Sequence, residues 1–230
     1  ICLFASSCDE LVQESVNEFY KSDRNLTRAI NLAMQASEAC LKAGDAQQAI
    51  TSLINGASIC MVNKEPQKAL ELSQKALELA ANVSDKLLLA RSYQNIGAAK
   101  KALGKYDEAL ASFYEAQKIY DTNSNTPMRD ELLCIKSIGS TYYMKNDFAK
   151  AYENHILALN LLDITPDLSN NELVRSELLI EVANDLVKLE QKDEAAKNYK
   201  EVLEILKGKE QNPRALGLLE RASKGLKELN

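Results

Sequence analysis

An alanine returns at a fixed place in five successive helical segments, and that recurrence limits what the chain can fold into. The segments read SDRNLTRAI, NKEPQKAL, LGKYDEAL, MKNDFAKAY and EQKDEAAKNY, with Ala29, Ala69, Ala109, Ala151 and Ala195 separated by 40, 40, 42 and 44 residues. A repeat of this length on helical periodicity predicts a stack of helical hairpins, each burying its apolar face against its neighbours. Such a stack offers long side-chain faces rather than one deep cleft. Binding is therefore expected before chemistry.

Helical periodicity runs from about Glu10 onward, and Gly, Pro, Asn and Asp punctuation divides the chain into about eleven helices. Asn63 is expected to cap the helix that carries Pro66 in its first turn, and Asp85 to cap the next. No Gly/Ser-rich linker marks a second domain. The reading is an N-terminal extension over 1–9, a repeat array over 10–208 and a C-terminal capping helix over 209–230. The fold class expected is all-α, an α-α superhelix of about five hairpins plus the cap.

Small residues recur beside the key alanines. Seven positions later come Ala36, Ala76, Ala116, Ala158 and Val202; twelve earlier come Asn17, Ala57, Gly97, Gly139 and Ala183. Small side chains at these places let antiparallel helices approach closely. Val16, Ile96, Ile138 and Val182, then Tyr20, Tyr142 and Leu186, are expected to fill the gaps, with Tyr106 and Phe148 plugging hairpin turns.

The stretch from Tyr93 to Phe113, YQNIGAAKKALGKYDEALASF, resembles a tetratricopeptide repeat (TPR), with Tyr93, Ile96, Gly97, Gly104, Tyr106, Ala109, Phe113 and Ala116 on signature places. The unit carrying Ile138, Gly139, Tyr142, Phe148, Ala151 and Ala158 is nearly as good a match. The resemblance covers about Glu10 to Leu206 and implies a TPR-like solenoid. It departs from the family in period, 40–44 residues here against about 34, which implies longer helices or longer loops. Gly44-Asp45 before Ala49 echoes the same signature 20 residues ahead of Ala69, and 20-residue echoes are also similar to the soluble NSF attachment proteins.

The resemblance implies that the first helix of each hairpin lines an inner, concave face. On it we place a peptide-binding surface of Asn55, Ser58, Arg91, Gln94, Asn95, Lys136, Ser140 and Tyr143, with Glu177, Glu181 and Asn184 further along. These residues recur three and four apart, so each set forms one stripe of a helix. Amides, hydroxyls and mixed charge suit an extended peptide or a partner helix, and Arg91 with Lys136 favour an acidic one. The carboxylate clamp by which some TPR domains hold a chaperone tail is absent. Around Asn95 its flanking places hold Ile54 and Ser58, Leu133 and Ser137; around Asn55 they hold Glu14 and Glu18, which repel a carboxylate.

His155 is the sole histidine and stands where Phe113 and Tyr199 stand in other units, so it is expected in the packed interior. One histidine builds neither a metal site nor, with the residues around it, a recognisable relay. No Gly-rich phosphate loop occurs. We expect no enzyme activity, no cofactor and no metal. The net charge of −5 lacks a Lys/Arg track for nucleic acid, and no apolar run has the ~20 residues of a membrane helix.

The five cysteines are scattered, with Cys40, Cys60 and Cys134 in apolar stripes. They are expected as small buried thiols without a disulfide framework, in a reducing, cytoplasmic setting. The start ICLFASSC lacks an initiator Met and carries a short apolar run before Cys8. The alternative it raises is an exported or lipid-anchored bacterial protein. The function expected is a non-catalytic protein-interaction scaffold; the alternative is a sensory or regulatory TPR module of a larger signalling protein.

Overall fold

The computed structural model describes residues 7–164 and 171–229. Among these residues lie eleven helices: α1 (Cys8–Tyr20), α2 (Leu26–Lys42), α3 (Ala46–Val62), α4 (Pro66–Ala80), α5 (Lys86–Ala102), α6 (Tyr106–Thr122), α7 (Met128–Met144), α8 (Phe148–Asp163), α9 (Asn171–Lys188), α10 (Lys192–Ile205) and α11 (Pro213–Glu228). The expected break over 165–170 lies outside the described residues. The chain divides into two compact units, Ile1–Thr126 and Pro127–Asn230. Within each unit successive helices pack side by side. The longer period has a simple origin: α5 and α6 take 17 residues each, so two helices already fill a 34-residue repeat.

The turns follow one rule. At Gly44, Lys64, Gly104, Asn146 and Glu190 the backbone enters the left-handed region, with φ of 82°, 60°, 76°, 63° and 62°. The next amide then reaches back to the helix it has just left: Asp45 N to Cys40 O, Glu65 N to Cys60 O, Lys105 N to Lys100 O, Asp147 N to Tyr142 O and Gln191 N to Leu186 O, all 2.9–3.0 Å. This Schellman closure satisfies orphan carbonyls and fixes the exit direction. That next residue is also the N-cap of the following helix, so only three residues separate the two helices. Four residues later comes the alanine: Ala49, Ala69, Ala109, Ala151 and Ala195 donate the first intrahelical bonds, at 2.9–3.1 Å. All five, and Ala29 after the cap Asn25, are completely buried. The 20-residue echo at Ala49 is thus the same turn, used between α2 and α3.

Glycine takes part in packing as well as in turns. A Cβ built on Gly97 would lie 2.7 Å from the ring of Phe113, and one on Gly139 2.6 Å from His155. The sequence reading placed these glycines between helix backbones; the structure shows an aromatic ring seated on each. Tyr199 departs from the pattern, because its ring rests on Gly225 of α11 and its hydroxyl donates to Asn184 Oδ1 at 2.7 Å.

Several expectations are corrected. Asn63 caps the end of α3, not the start of α4, because Lys64 turns the chain before Pro66 can begin a helix; Glu65 is the N-cap. Asp85 does cap α5, accepting from Leu87 N at 2.9 Å. In α1 the inward residues are Ser15 and Glu18 rather than Asn17, which is exposed. Ser15 Oγ donates to Ala29 O at 2.9 Å and Glu18 accepts from Asn25 N at 3.1 Å, so hydrogen bonds set this register. Tyr20, expected as filler, is 78 % exposed at the frayed end of α1. Cys40 is not a thiol: it is bonded to Cys8, with the two Cα atoms 4.7 Å apart. α1 begins with Ser7 and Glu10 in a reciprocal capping box and packs beside α2, which brings Cys8 to the last turn of α2. Cys60 and Cys134 are buried thiols as expected, and burial pushes the Cys60 thiol up to about 11.

Two outcomes follow from these contacts. Gly97→Ala should cost about 1–3 kcal/mol by pressing on Phe113, and Gly97→Leu at least as much; urea unfolding of each variant checks this, with no loss meaning that the ring yields freely. Cys8→Ser should cost about 2–4 kcal/mol by reopening a loop of 32 residues. Thermal unfolding with and without reductant should shift the parent and leave the variant unmoved.

Candidate functional site

The first helices of the hairpins, α3 and α5 in the first unit and α7 and α9 in the second, carry the predicted binding residues, and α11 follows α9. α3 packs on α5, α7 on α9 and α9 on α11, so each unit holds a row of first helices. The two rows differ in chemistry.

In the first unit the row is uncharged at its centre. Asn95 Nδ2 donates across to Ile54 O at 3.0 Å and to Ser58 Oγ at 3.3 Å, and Ser58 Oγ donates to Ile54 O at 3.0 Å. Asn95 and Ser58 are therefore brought together, tying one repeat to the next. Asn55 and Arg91 are half-buried beside them. Gln94 is different. It is 8 % exposed, and its Oε1 accepts from Tyr120 Oη at 2.8 Å. It holds α6 against α5 and is largely withdrawn from the surface. One position round the helix from Asn95 suffices to bury it, which spacing alone does not reveal.

In the second unit the row is a ladder of charge. Lys136 Nζ lies 2.8 Å from Glu177 Oε1 and 3.7 Å from Glu181 Oε1, and Arg214 Nη2 lies 2.8 Å from Glu177 Oε2. The ladder links α7, α9 and α11. Burial pushes the Glu177 carboxyl up, but Lys136 and Arg214 outweigh it and hold the group below its ordinary range. Glu181 is buried more deeply, and its carboxyl stands above the ordinary range because Lys136 and His155 offset desolvation only in part. Lys136 is thus already held by two carboxylates and does not present the bare positive charge that the sequence suggested. Ser140 Oγ donates to Ser137 O at 3.1 Å. Tyr143 stacks edge-on against Phe148, centroids 5.3 Å apart, with its hydroxyl pKa raised by burial and by Asp185.

His155 sits in the interior as expected, 2 % exposed, but in polar company. Its Nδ1 is 2.6 Å from Asp185 Oδ2, and Asp185 is wholly buried. The sequence reading passed over Asp185. The signal was there: Glu177, Glu181 and Asp185 are four apart, one stripe of α9 turned toward the core.

Residues 48–122 match the family described as tetratricopeptide repeat. This part of the chain consists of tetratricopeptide repeats. Solved TPR-type structures extend the likeness over nearly the whole chain. A STAND protein with a tetratricopeptide repeat sensor from Pyrococcus horikoshii matches with a TM-score of 0.71 at 17 % identity, covering 95 % of this chain and 33 % of that one. A Rap protein complexed with competence and sporulation factor matches at 0.62 and 20 %, covering 96 % and 64 %. The pilF protein of Pseudomonas aeruginosa matches at 0.62 and 20 %, covering 96 % and 88 %. At these identities the likeness is one of fold. No curated protein matches the chain in sequence. Among the described residues no helix is long and apolar enough to cross a membrane.

Lys136→Met removes the central rung of the second unit's ladder and should cost about 1–3 kcal/mol at neutral pH, discounted for the partial exposure of the pair. Glu177 then loses its main source of depression. A depressed carboxyl adds stability above its unfolded pKa that is lost as the pH falls, so the gap between parent and variant should close on acidification. Urea midpoints near pH 7.5 and near pH 4 check the sign.

Proposed function

We propose that the chain is a non-catalytic scaffold that binds an extended peptide or a helical segment of another protein along its first-helix rows. The observation that carries this reading is the first-unit row, where Asn95 and Ser58 of successive repeats form an ordered amide–hydroxyl surface flanked by Asn55 and Arg91. Fixed polar groups on rigid helices suit recognition of main-chain amides at low ordering cost. Gln94 supports this surface from behind, through Tyr120. In the second unit Ser140 and Tyr143 are the contact residues, and Lys136 keeps the ladder in place.

The alternative, a sensory or regulatory TPR module of a larger protein, draws support from the fold likeness to the STAND protein with a TPR sensor and to the Rap protein in complex with its factor. For location, the Cys8–Cys40 bond favours an exported protein over a cytoplasmic one, since disulfides persist mainly in oxidising compartments, and it leaves no free sulfur at Cys8 to carry a lipid.

Capture from a lysate of the source organism should recover a partner with the parent chain. An Arg91→Glu/Asn55→Ala variant should bind it at least tenfold more weakly, about 1.4 kcal/mol or more. Equal affinity in the two would remove this surface from consideration.

A further inference from the structure

The second unit holds a cluster that interaction alone does not explain. His155 of α8 lies between two carboxylates of α9, with Nδ1 2.6 Å from Asp185 Oδ2 and Nε2 3.4 Å from Glu181 Oε2. The first contact is a short, charge-assisted bond in which Nδ1–H donates. The second is too long for a well-made bond, and both of its atoms, with Asp185 Oδ1, are buried without a hydrogen-bond partner. Two unprotonated atoms, a ring lone pair and a carboxylate oxygen, repel each other at this separation. A proton placed between them turns the contact into a charge-assisted bond.

We propose that His155, Glu181 and Asp185 form a proton-operated latch between the α7–α8 hairpin and the α9–α10 hairpin. One proton from solvent, shared between His155 Nε2 and Glu181 Oε2, closes the junction, and its return to solvent leaves two acceptors facing each other in the core. Asp185 keeps the ring in its Nδ1–H tautomer and stabilises the imidazolium. Gly139 of α7 gives the ring its seat, since a side chain there would displace Nε2.

The groups facing the trio fix the sense of the switch. From α7 come Lys136, 3.7 Å from Glu181, and Tyr143, whose hydroxyl is coupled to Asp185. From α9 comes Glu177, bound by Lys136 and by Arg214 of α11, and Arg221 of α11 also acts on Glu181. Tyr199 of α10 is engaged by Asn184. The nearby cations favour charged Glu181, but burial outweighs them and leaves its carboxyl, like that of Asp185, raised. The two folded carboxyls therefore hold a proton more tightly than they do in the unfolded chain. Linkage then requires the junction to gain stability as the pH falls through the folded value toward the unfolded carboxylate value of about 4.3, the reverse of ordinary acid unfolding. While one extra proton is held, the closed-to-open ratio rises about tenfold per pH unit. The apparent pKa belongs to the trio as a whole.

Because His155 is the only histidine, untagged chain labelled with ¹⁵N-histidine gives one imidazole signal. On acidification Nδ1 should stay protonated while a proton arrives between Nε2 and Glu181. Hydrogen-exchange protection factors of α8 and α9 should rise in step. In Glu181→Gln the amide supplies a permanent donor to Nε2, and the rise in protection should vanish. An Nε2 that never protonates before acid unfolding overturns the latch. So does protection that falls throughout acidification, or a rise that survives in Glu181→Gln.

Discussion

The three-residue break between helices, repeated at five turns, is what the rest of this structure depends on. A residue in the left-handed region ends one helix and the next residue caps another, so two helix axes must converge within a few ångströms of the turn. At that convergence only a small side chain fits, and the alanine four residues past each cap occupies it with no exposed surface. One turn further on, the space widens enough for a ring, and Phe113 and His155 fill it by resting on Gly97 and Gly139. Turn, alanine, ring and glycine are thus one geometric solution repeated with changes of chemistry.

Those changes divide the labour between the two units. Where the ring is Phe113, the hairpin is held by dispersion and by the Tyr120–Gln94 bond, and its first-helix row is uncharged at its centre. Where the ring is His155, the same seat draws in Asp185 and Glu181, and the row above becomes a salt-bridged ladder. A polar ring in an apolar position must be matched by buried acceptors, because leaving it unmatched costs more than the burial gains. The histidine at this place thereby organises the electrostatics of four neighbouring helices.

Much of this was legible in the chain. The alanine spacing, the Gly and Asp punctuation and the small-residue echo are local signals, and they located the helices and the TPR resemblance. What was not legible depends on contacts between distant segments. The pairing of Cys8 with Cys40 follows from α1 lying beside α2, which no spacing encodes. α1 itself is held in register by Ser15 and Glu18, whose partners Ala29 O and Asn25 N are backbone groups without a sequence signature. Of the predicted surface, Asn95 and Ser58 do meet, Gln94 turns inward, and Lys136 is claimed by glutamates one hairpin away. Polar stripes say which residues share a helix face, not which neighbour will have consumed their hydrogen bonds.

A linear stack melts from its ends, because a terminal helix has a neighbour on one side only. The covalent tie between Cys8 and Cys40 pins the outermost helix of the first unit to the second, so fraying there cannot release α1 without also peeling away α2. In the second unit Arg214 hooks α11 to α9 across Glu177, a tie that salt can loosen and reductant cannot. The two units therefore answer to different chemical environments: a change in redox conditions loosens α1 in the first, and a change in ionic strength loosens α11 in the second.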